Sequence, residues 1–191
     1  MVRLNKIYTR TGDAGETGLI DGSRLPKYAP RMAAIGDVDE LNSAIGVALT
    51  HGLPAPQRAM LGRIQNELFD LGADLATPGE DFAPSDMTLR IVAAQVERLE
   101  REIDAMNEAL APLRSFILPG GDPAAAAVHL ARAIARRTER TAVAATRDVS
   151  LNPIGLAYIN RLSDHLFVMA RYLNLQAQGD ILWQPGATRG A

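Results

Sequence analysis

Cysteine is absent from this chain of 191 residues. That excludes a disulfide framework, thiolate catalysis and thiolate metal sites. Aromatic residues make up only 5%, too few for the cross-strand packing of a sandwich or barrel, and abundant alanine favours helices instead. Positive charge is not in excess: 20 Lys and Arg against 22 Asp and Glu give a net −2. A general nucleic-acid binder needs the opposite balance, so no nucleic-acid partner is expected. No apolar run approaches the roughly 18 residues that span a bilayer. Residues 1–6 also lack the apolar core of a secretory leader. The expected location is the cytoplasm, with no membrane partner. Hydrophobic content of 47% with 22% charged residues fits one globular domain over residues 1–191.

What the chain does have begins at its N-terminal end. Thr9-Arg-Thr-Gly-Asp-Ala-Gly-Glu-Thr-Gly-Leu19 carries Gly12, Gly15 and Gly18 at every third position. Such spacing lets backbone N–H groups approach an anion. Thr9, Thr11 and Thr17 supply hydroxyls, and Arg10 a fork of donors suited to phosphate oxygens. It is not a Walker A sequence, because no Gly-Lys-Ser/Thr closes it and no apolar strand precedes it. A phosphate cradle and a plain solvated loop both fit this composition. The expected organisation is a Gly/Thr-rich segment over 1–30, a helical body over 31–175 and a tail over 176–191.

Apolar residues at three-and-four spacing predict helices over about 31–49, 57–76, 88–110, 123–147 and 153–175. Pro54, Pro56, Pro78-Gly79 and Pro112 interrupt the pattern, while Asp122-Pro123 and Asn152-Pro153 are start signals. The third segment carries Glu97, Arg98, Glu100, Arg101, Glu102 and Asp104, which read as a solvated face with i,i+4 support. Five long helices with short connections predict an all-α, up-and-down helix bundle.

Polar residues inside those helices carry the candidate chemistry. Arg132, Arg136 and Arg140 line one stripe, with Arg137 and Glu139 beside them. Three guanidiniums on one stripe repel unless an anion or carboxylates lie alongside. Asp37, Asp39 and Glu40 on the first helix are candidate partners, with Asp39 able to reach across the bundle. Asn160 and Asp164 share a face of the last helix, positioned to orient arginines or a ribose. A solvated basic face remains the competing reading. His51, His129 and His165 are too scattered for a histidine-rich metal site, and the Glu-x-x-His pair of a di-iron bundle is missing.

Taken together, four segments resemble the PduO-type ATP:cob(I)alamin adenosyltransferases. They are Tyr8 to Leu19; Asp37-Val-Asp-Glu-Leu-Asn-Ser-Ala-Ile-Gly46; Phe116-Ile-Leu-Pro-Gly-Gly121 with Arg132-x-x-x-Arg-Arg-x-Glu-Arg140; and Tyr158-Ile-Asn-Arg-Leu-Ser-Asp-His-Leu-Phe167. They are spread over nearly the whole chain, with Thr138 where alanine is frequent in the arginine motif. The resemblance implies a five-helix, ferritin-like bundle that assembles as a homotrimer with active sites between subunits. It implies transfer of the 5′-deoxyadenosyl group of ATP to the cobalt of cob(I)alamin, with release of triphosphate. Thr9, Arg10, Thr11, Gly12, Thr17, Gly18 and Lys27 would hold ATP from one subunit. Arg136, Arg137, Glu139, Arg140 and Asn160 would complete the site from the next. Asp39 and Arg132 would pair across subunits on the cobalamin side, and Phe116 would close the lower face of the corrin. Mg²⁺ would accompany the triphosphate through ligands that the residues do not single out. An adenosylcobalamin-dependent enzyme would receive the product. Two rivals are a non-catalytic ATP or cobalamin carrier or sensor on the same bundle, and a helical adaptor with a solvated arginine face.

Overall fold

The computed structural model describes residues 8–85 and 88–190. Five helices dominate it: α1 Pro30–Leu49, α2 Ala55–Leu75, α3 Ala93–Asn107, α4 Pro123–Ala145 and α5 Pro153–Leu175. Proline at the first turn of α1, α2, α4 and α5 pre-sets the helical φ. The Asp122 carboxylate accepts from Ala124 N at 2.8 Å and Asn152 Oδ1 from Ile154 N at 3.0 Å. Both expected caps are therefore formed.

Helix α1 packs on α2 and α4, α4 on α5, and α5 on α3. Contacts give the directions. Thr141 Oγ1 donates to Asp37 Oδ2 at 2.6 Å while Arg137 pairs with Glu40, so α1 and α4 are antiparallel. Glu100 pairs with Arg161, and Glu102 with His165, so α3 and α5 are parallel. The result is the expected up-and-down bundle. Its core uses the stripes that the spacing predicts: Val38, Leu41 and Ile45; Leu61, Ile64, Leu68 and Leu71; Leu162, Leu166 and Met169. On α4 the core face is Ala124, Ala125, Ala131, Ala135 and Ala142, small enough for α1 and α5 to approach closely.

Three expectations need correction. The charge run on α3 is not simply a solvated face. Arg63 of α2 forks onto Glu102, donating from Nη2 at 2.8 Å, and Arg98 reaches Glu67 at 3.1 Å. The Tyr158 hydroxyl donates to Glu67 at 2.8 Å. These charges are the α2–α3–α5 interface. Burial alone would raise the Glu102 pKa, but hydrogen bonds from His165 and Arg63 hold it at about 2.

Helix α3 also starts later than the apolar pattern suggests. Ile91 N donates to Asp74 Oδ2 at 2.9 Å and Arg90 Nη1 to Asp74 Oδ1 at 2.7 Å. Asn152 Nδ2 takes the same carboxylate at 2.7 Å. These bonds fix Arg90 and Ile91 ahead of the helix, Val92 is extended, and the helix begins where Gln95 Oε1 accepts from Val92 N at 2.9 Å.

The third correction lies in the N-terminal segment, which is not all loop. Strand β1 Glu16–Gly18 pairs antiparallel with β2 Arg24–Pro26 in the register Thr17 opposite Leu25. Asp21-Gly22 makes the turn: Gly22 has φ +84, and Asp21 Oδ1 accepts from Ser23 N at 3.0 Å and Ser23 Oγ at 2.6 Å. No helix of the described residues is long and apolar enough to cross a membrane.

Candidate functional site

The hairpin shapes the N-terminal segment into a concave turn. Arg10 sits at φ +62 and Gly15 at φ +87, left-handed positions that fold the chain back on itself. Thr9 and Thr11 share a hydroxyl hydrogen bond of 2.9 Å. Arg24 braces the turn from β2, donating Nη2 to Thr11 O at 2.8 Å and pairing with Glu16 at 3.4 Å. Lys27 N donates to Gly15 O at 2.8 Å. A Cβ at Gly12 would stand 3.2 Å from Lys27 Nζ and from Glu16 O, so glycine there lets the ammonium lie against the turn. Thr9, Arg10, Thr11, Gly12 and Lys27 are thus brought together, with Thr17 and Gly18 on the strand behind them. Thr9, Arg10, Thr11 and Lys27 are exposed there, and the Arg10 guanidinium carbon lies 5.7 Å from the Tyr8 ring centre.

A second cluster lies on α4 and α5. Asn160 Nδ2 donates to Glu139 Oε1 at 2.7 Å, which fixes both side chains at the surface. Arg140 Nη1 donates to Arg136 O at 3.0 Å. Arg136 is exposed, and its side chain makes no hydrogen bond or ion pair among the described residues. Arg137, off the stripe, is compensated by Glu40 and by Asp37 at 3.8 Å. The stripe of Arg132, Arg136 and Arg140 carries three positive charges with no carboxylate paired to them among the described residues. Burial and the Arg136 charge both push the Arg132 pKa down. Such a stripe suits an anion from outside the protomer. The expected reach of Asp39 to an α4 arginine across the bundle is not seen within the chain. Asp37 and Glu40 take that role, while Asp39 is exposed on a groove between α1 and α2 beside Asn42 and Phe69.

The third element is apolar. Phe116, on the connection before α4, is 76% exposed. The tail runs back alongside it: Trp183 N donates to Phe116 O at 2.8 Å, and Leu118 N to Ile181 O at 2.7 Å. The Phe116 and Trp183 rings meet edge to face at 5.9 Å. Beneath them lies a cavity of about 200 Å³ lined by Leu113, Phe116, Ile117, Pro119, His129, Arg132 and Phe167. The Arg132 guanidinium carbon lies 5.9 Å from the Phe167 ring centre.

Within the chain, then, the expected residues form three groups, and no hydrogen bond or ion pair links the N-terminal turn to the arginine stripe among the described residues. Sequence reasoning missed Arg24. Its only signal was an arginine just after an Asp-Gly turn, which reads as a generic loop charge until the hairpin register is known. It also missed His129 in the wall of the cavity. No cluster of three His, Asp or Glu able to hold a metal occurs among the described residues.

The fold and these groups define a helical-bundle protein with a basic stripe on α4 and an exposed apolar surface around Phe116. A family model described as cobalamin adenosyltransferase matches residues 7–173. The chain belongs to that family. It is 48% identical over 196 residues to a corrinoid adenosyltransferase of Mycobacterium tuberculosis, covering 100% of this chain and 98% of that protein. It is 51% identical over 184 residues to a cobalamin adenosyltransferase of Cupriavidus metallidurans, covering 95% and 96%. A variant PduO-type ATP:corrinoid adenosyltransferase from Lactobacillus reuteri, complexed with cobalamin and ATP, has a similar structure. It superposes with a TM-score of 0.85 at 41% identity, covering 94% of this chain and 99% of that one. Another variant of that enzyme, complexed with ATP, gives a TM-score of 0.84 with coverage of 93% and 100%.

Proposed function

We propose that the protein transfers the 5′-deoxyadenosyl group of ATP to the cobalt of cob(I)alamin, releasing triphosphate, in a site shared by two subunits of a homotrimer. The observation that carries the shared site is the stripe of Arg132, Arg136 and Arg140, which has no carboxylate partner among the described residues. One subunit offers the turn of Thr9, Arg10, Thr11, Gly12, Thr17, Gly18 and Lys27 to ATP. The next offers Arg136, Arg137, Glu139, Arg140 and Asn160. Asp39 of one subunit pairs with Arg132 of its neighbour, and Phe116 covers the lower corrin face.

The reaction breaks the C5′–O bond of ATP and forms a cobalt–carbon bond. The electron pair comes from cobalt(I), and the leaving triphosphate carries away the pair of the broken bond. Because the nucleophile belongs to the substrate, the protein needs no activated Ser, Cys or His. Its work is to align C5′ with cobalt and to stabilise charge on the departing triphosphate. The paired threonine hydroxyls, Lys27, Arg10 and the arginine stripe supply donors for that charge. Asn160, held by Glu139, is placed for the ribose. Phe116 keeps polar axial ligands off the cobalt, so that the protein tunes the corrinoid while the corrinoid does the chemistry. Mg²⁺ would accompany the triphosphate and offset its charge; no cluster of three acidic or histidine side chains among the described residues would hold it alone. The protein acts in the cytoplasm and hands its product to an adenosylcobalamin-dependent enzyme.

The test is incubation with ATP, Mg²⁺ and cob(I)alamin, following the corrinoid spectrum and triphosphate release. Adenosylcobalamin and triphosphate in equal amounts support the reading. A folded protein that binds both substrates without product would make it a carrier or sensor. One that binds neither would leave a helical adaptor.

A further inference from the structure

We propose that His129, with Arg132 beside it, is a recognition subsite for a primary carboxamide of the corrin periphery, lodged in the cavity beneath Phe116. This rests on the corrinoid reading above and specifies what part of that ligand the cavity takes.

His129 is 2% exposed, and among the described residues neither of its ring nitrogens, nor the buried Nε of Arg132, has a hydrogen-bond partner. Both side chains line the same cavity of about 200 Å³, whose other walls are apolar. Buried polar groups are almost always partnered, and leaving three polar atoms unpaired in one wall is costly. The Phe167 ring fixes both groups: the imidazole meets its edge at 6.4 Å and the guanidinium carbon lies 5.9 Å from its centre.

The chemistry of these atoms narrows the ligand. Burial, then the Arg132 charge, lowers the imidazole pKa, with Asp180 opposing, so the ring is neutral near pH 7. A neutral imidazole presents one N–H donor and one lone pair. An anion would suit Arg132 but meet that lone pair unfavourably. An apolar arm would leave every polar atom unpaired. A primary carboxamide offers an acceptor oxygen and a donor NH₂, which together match both groups. Cobalamin carries three propionamide arms on its lower face, the face assigned to Phe116. The cavity volume is far above the roughly 15 Å³ that a single water needs, so one arm fits.

Equilibrium titration with cob(II)alamin in the presence of ATP provides the test, run beside the adenosylation assay. His129→Leu should weaken corrinoid binding about fivefold to tenfold and leave ATP affinity unchanged, and His129→Gln, which keeps a donor and an acceptor, should recover most of the loss. Corrinoid affinity in His129→Leu equal to wild type would overturn the subsite while leaving the functional reading intact. Wild type that makes no adenosylcobalamin would overturn both. A second measurement needs no variant. Wild type is titrated with the three cobalamin monocarboxylic acids in which one lower-face propionamide is hydrolysed. One of the three should change affinity by a similar factor while the other two match cobalamin; three equal affinities would overturn the proposal.

Discussion

The backbone N–H of Ile20 donates to Ala76 O at 3.2 Å, next to the Leu75 carbonyl taken by the buried Arg31 guanidinium. The tip of the N-terminal hairpin and the first turn of α1 are thus tied to the same end of α2. Arg31 also reaches Ser150 O at 3.1 Å, adding the α4–α5 connection. The turn proposed to hold ATP is therefore braced through the end of α2, outside the turn itself.

Arg31→Met should cost about 2–3 kcal/mol by leaving two carbonyls without their charged donor. Thermal unfolding measures that loss. Because the hairpin loses its brace, KM for ATP should rise more than kcat falls. A variant with unchanged KM would show that the hairpin holds its shape alone.

Asp74 and Arg90 form a buried pair that also binds Ile91 N and Asn152. Asp74→Ala leaves the Arg90 charge buried and unpaired, and should destabilise by about 3–5 kcal/mol. The double variant Asp74→Leu with Arg90→Met should be clearly more stable than Asp74→Ala. Urea denaturation of both variants beside wild type, with the single variants Asp74→Leu and Arg90→Met, gives the coupling.

Glu102 sets an acid limit on the fold. Its pKa falls from 4.5 to about 2 in the folded chain. A carboxylate depressed in this way contributes stability fully above its unfolded pKa and loses it as pH falls towards the folded value. The contribution is of order 3 kcal/mol, and should fade between about pH 5 and pH 2. Urea midpoints across that range should decline for wild type, with a shallower decline for Glu102→Gln.

Much of this was legible in the sequence, and the exceptions have physical causes. The helices of Pro30–Leu49 and Pro153–Leu175 follow their apolar stripes and proline starts almost residue for residue. The start of α3 was not legible, because Asp74 lies 17 residues before Ile91 and only the fold brings its carboxylate there. Glu102 and Arg98 read as solvated because i,i+4 charge spacing is the same whether the helix faces water or two arginine-bearing neighbours. The hairpin went unread: Asp21-Gly22 is a common turn pair, and strands of three residues each leave no alternation to read. The arginine stripe was visible as a pattern. That Arg137, off the stripe, meets Glu40 and Asp37 was not, since it depends on how α1 rotates against α4.

Arg136→Ala separates a catalytic arginine from a structural one. The side chain is exposed and unpaired in the chain, so stability should stay within about 0.5 kcal/mol of wild type. Adenosylation should fall at least about a hundredfold through lost stabilisation of the leaving triphosphate. Thermal unfolding and triphosphate release on the same sample check both halves.

The central claim is that one active site takes its N-terminal turn from one chain and its arginine stripe from another. Lys27→Ala and Arg136→Ala, each inactive alone, test it when mixed under conditions that exchange subunits. In a shared site, about a quarter of the sites in a randomly mixed trimer join an intact turn to an intact stripe. Adenosylcobalamin formation should return to about that fraction of the wild-type rate. If exchange is verified and the mixture stays inactive, each site lies within one chain and the account is wrong.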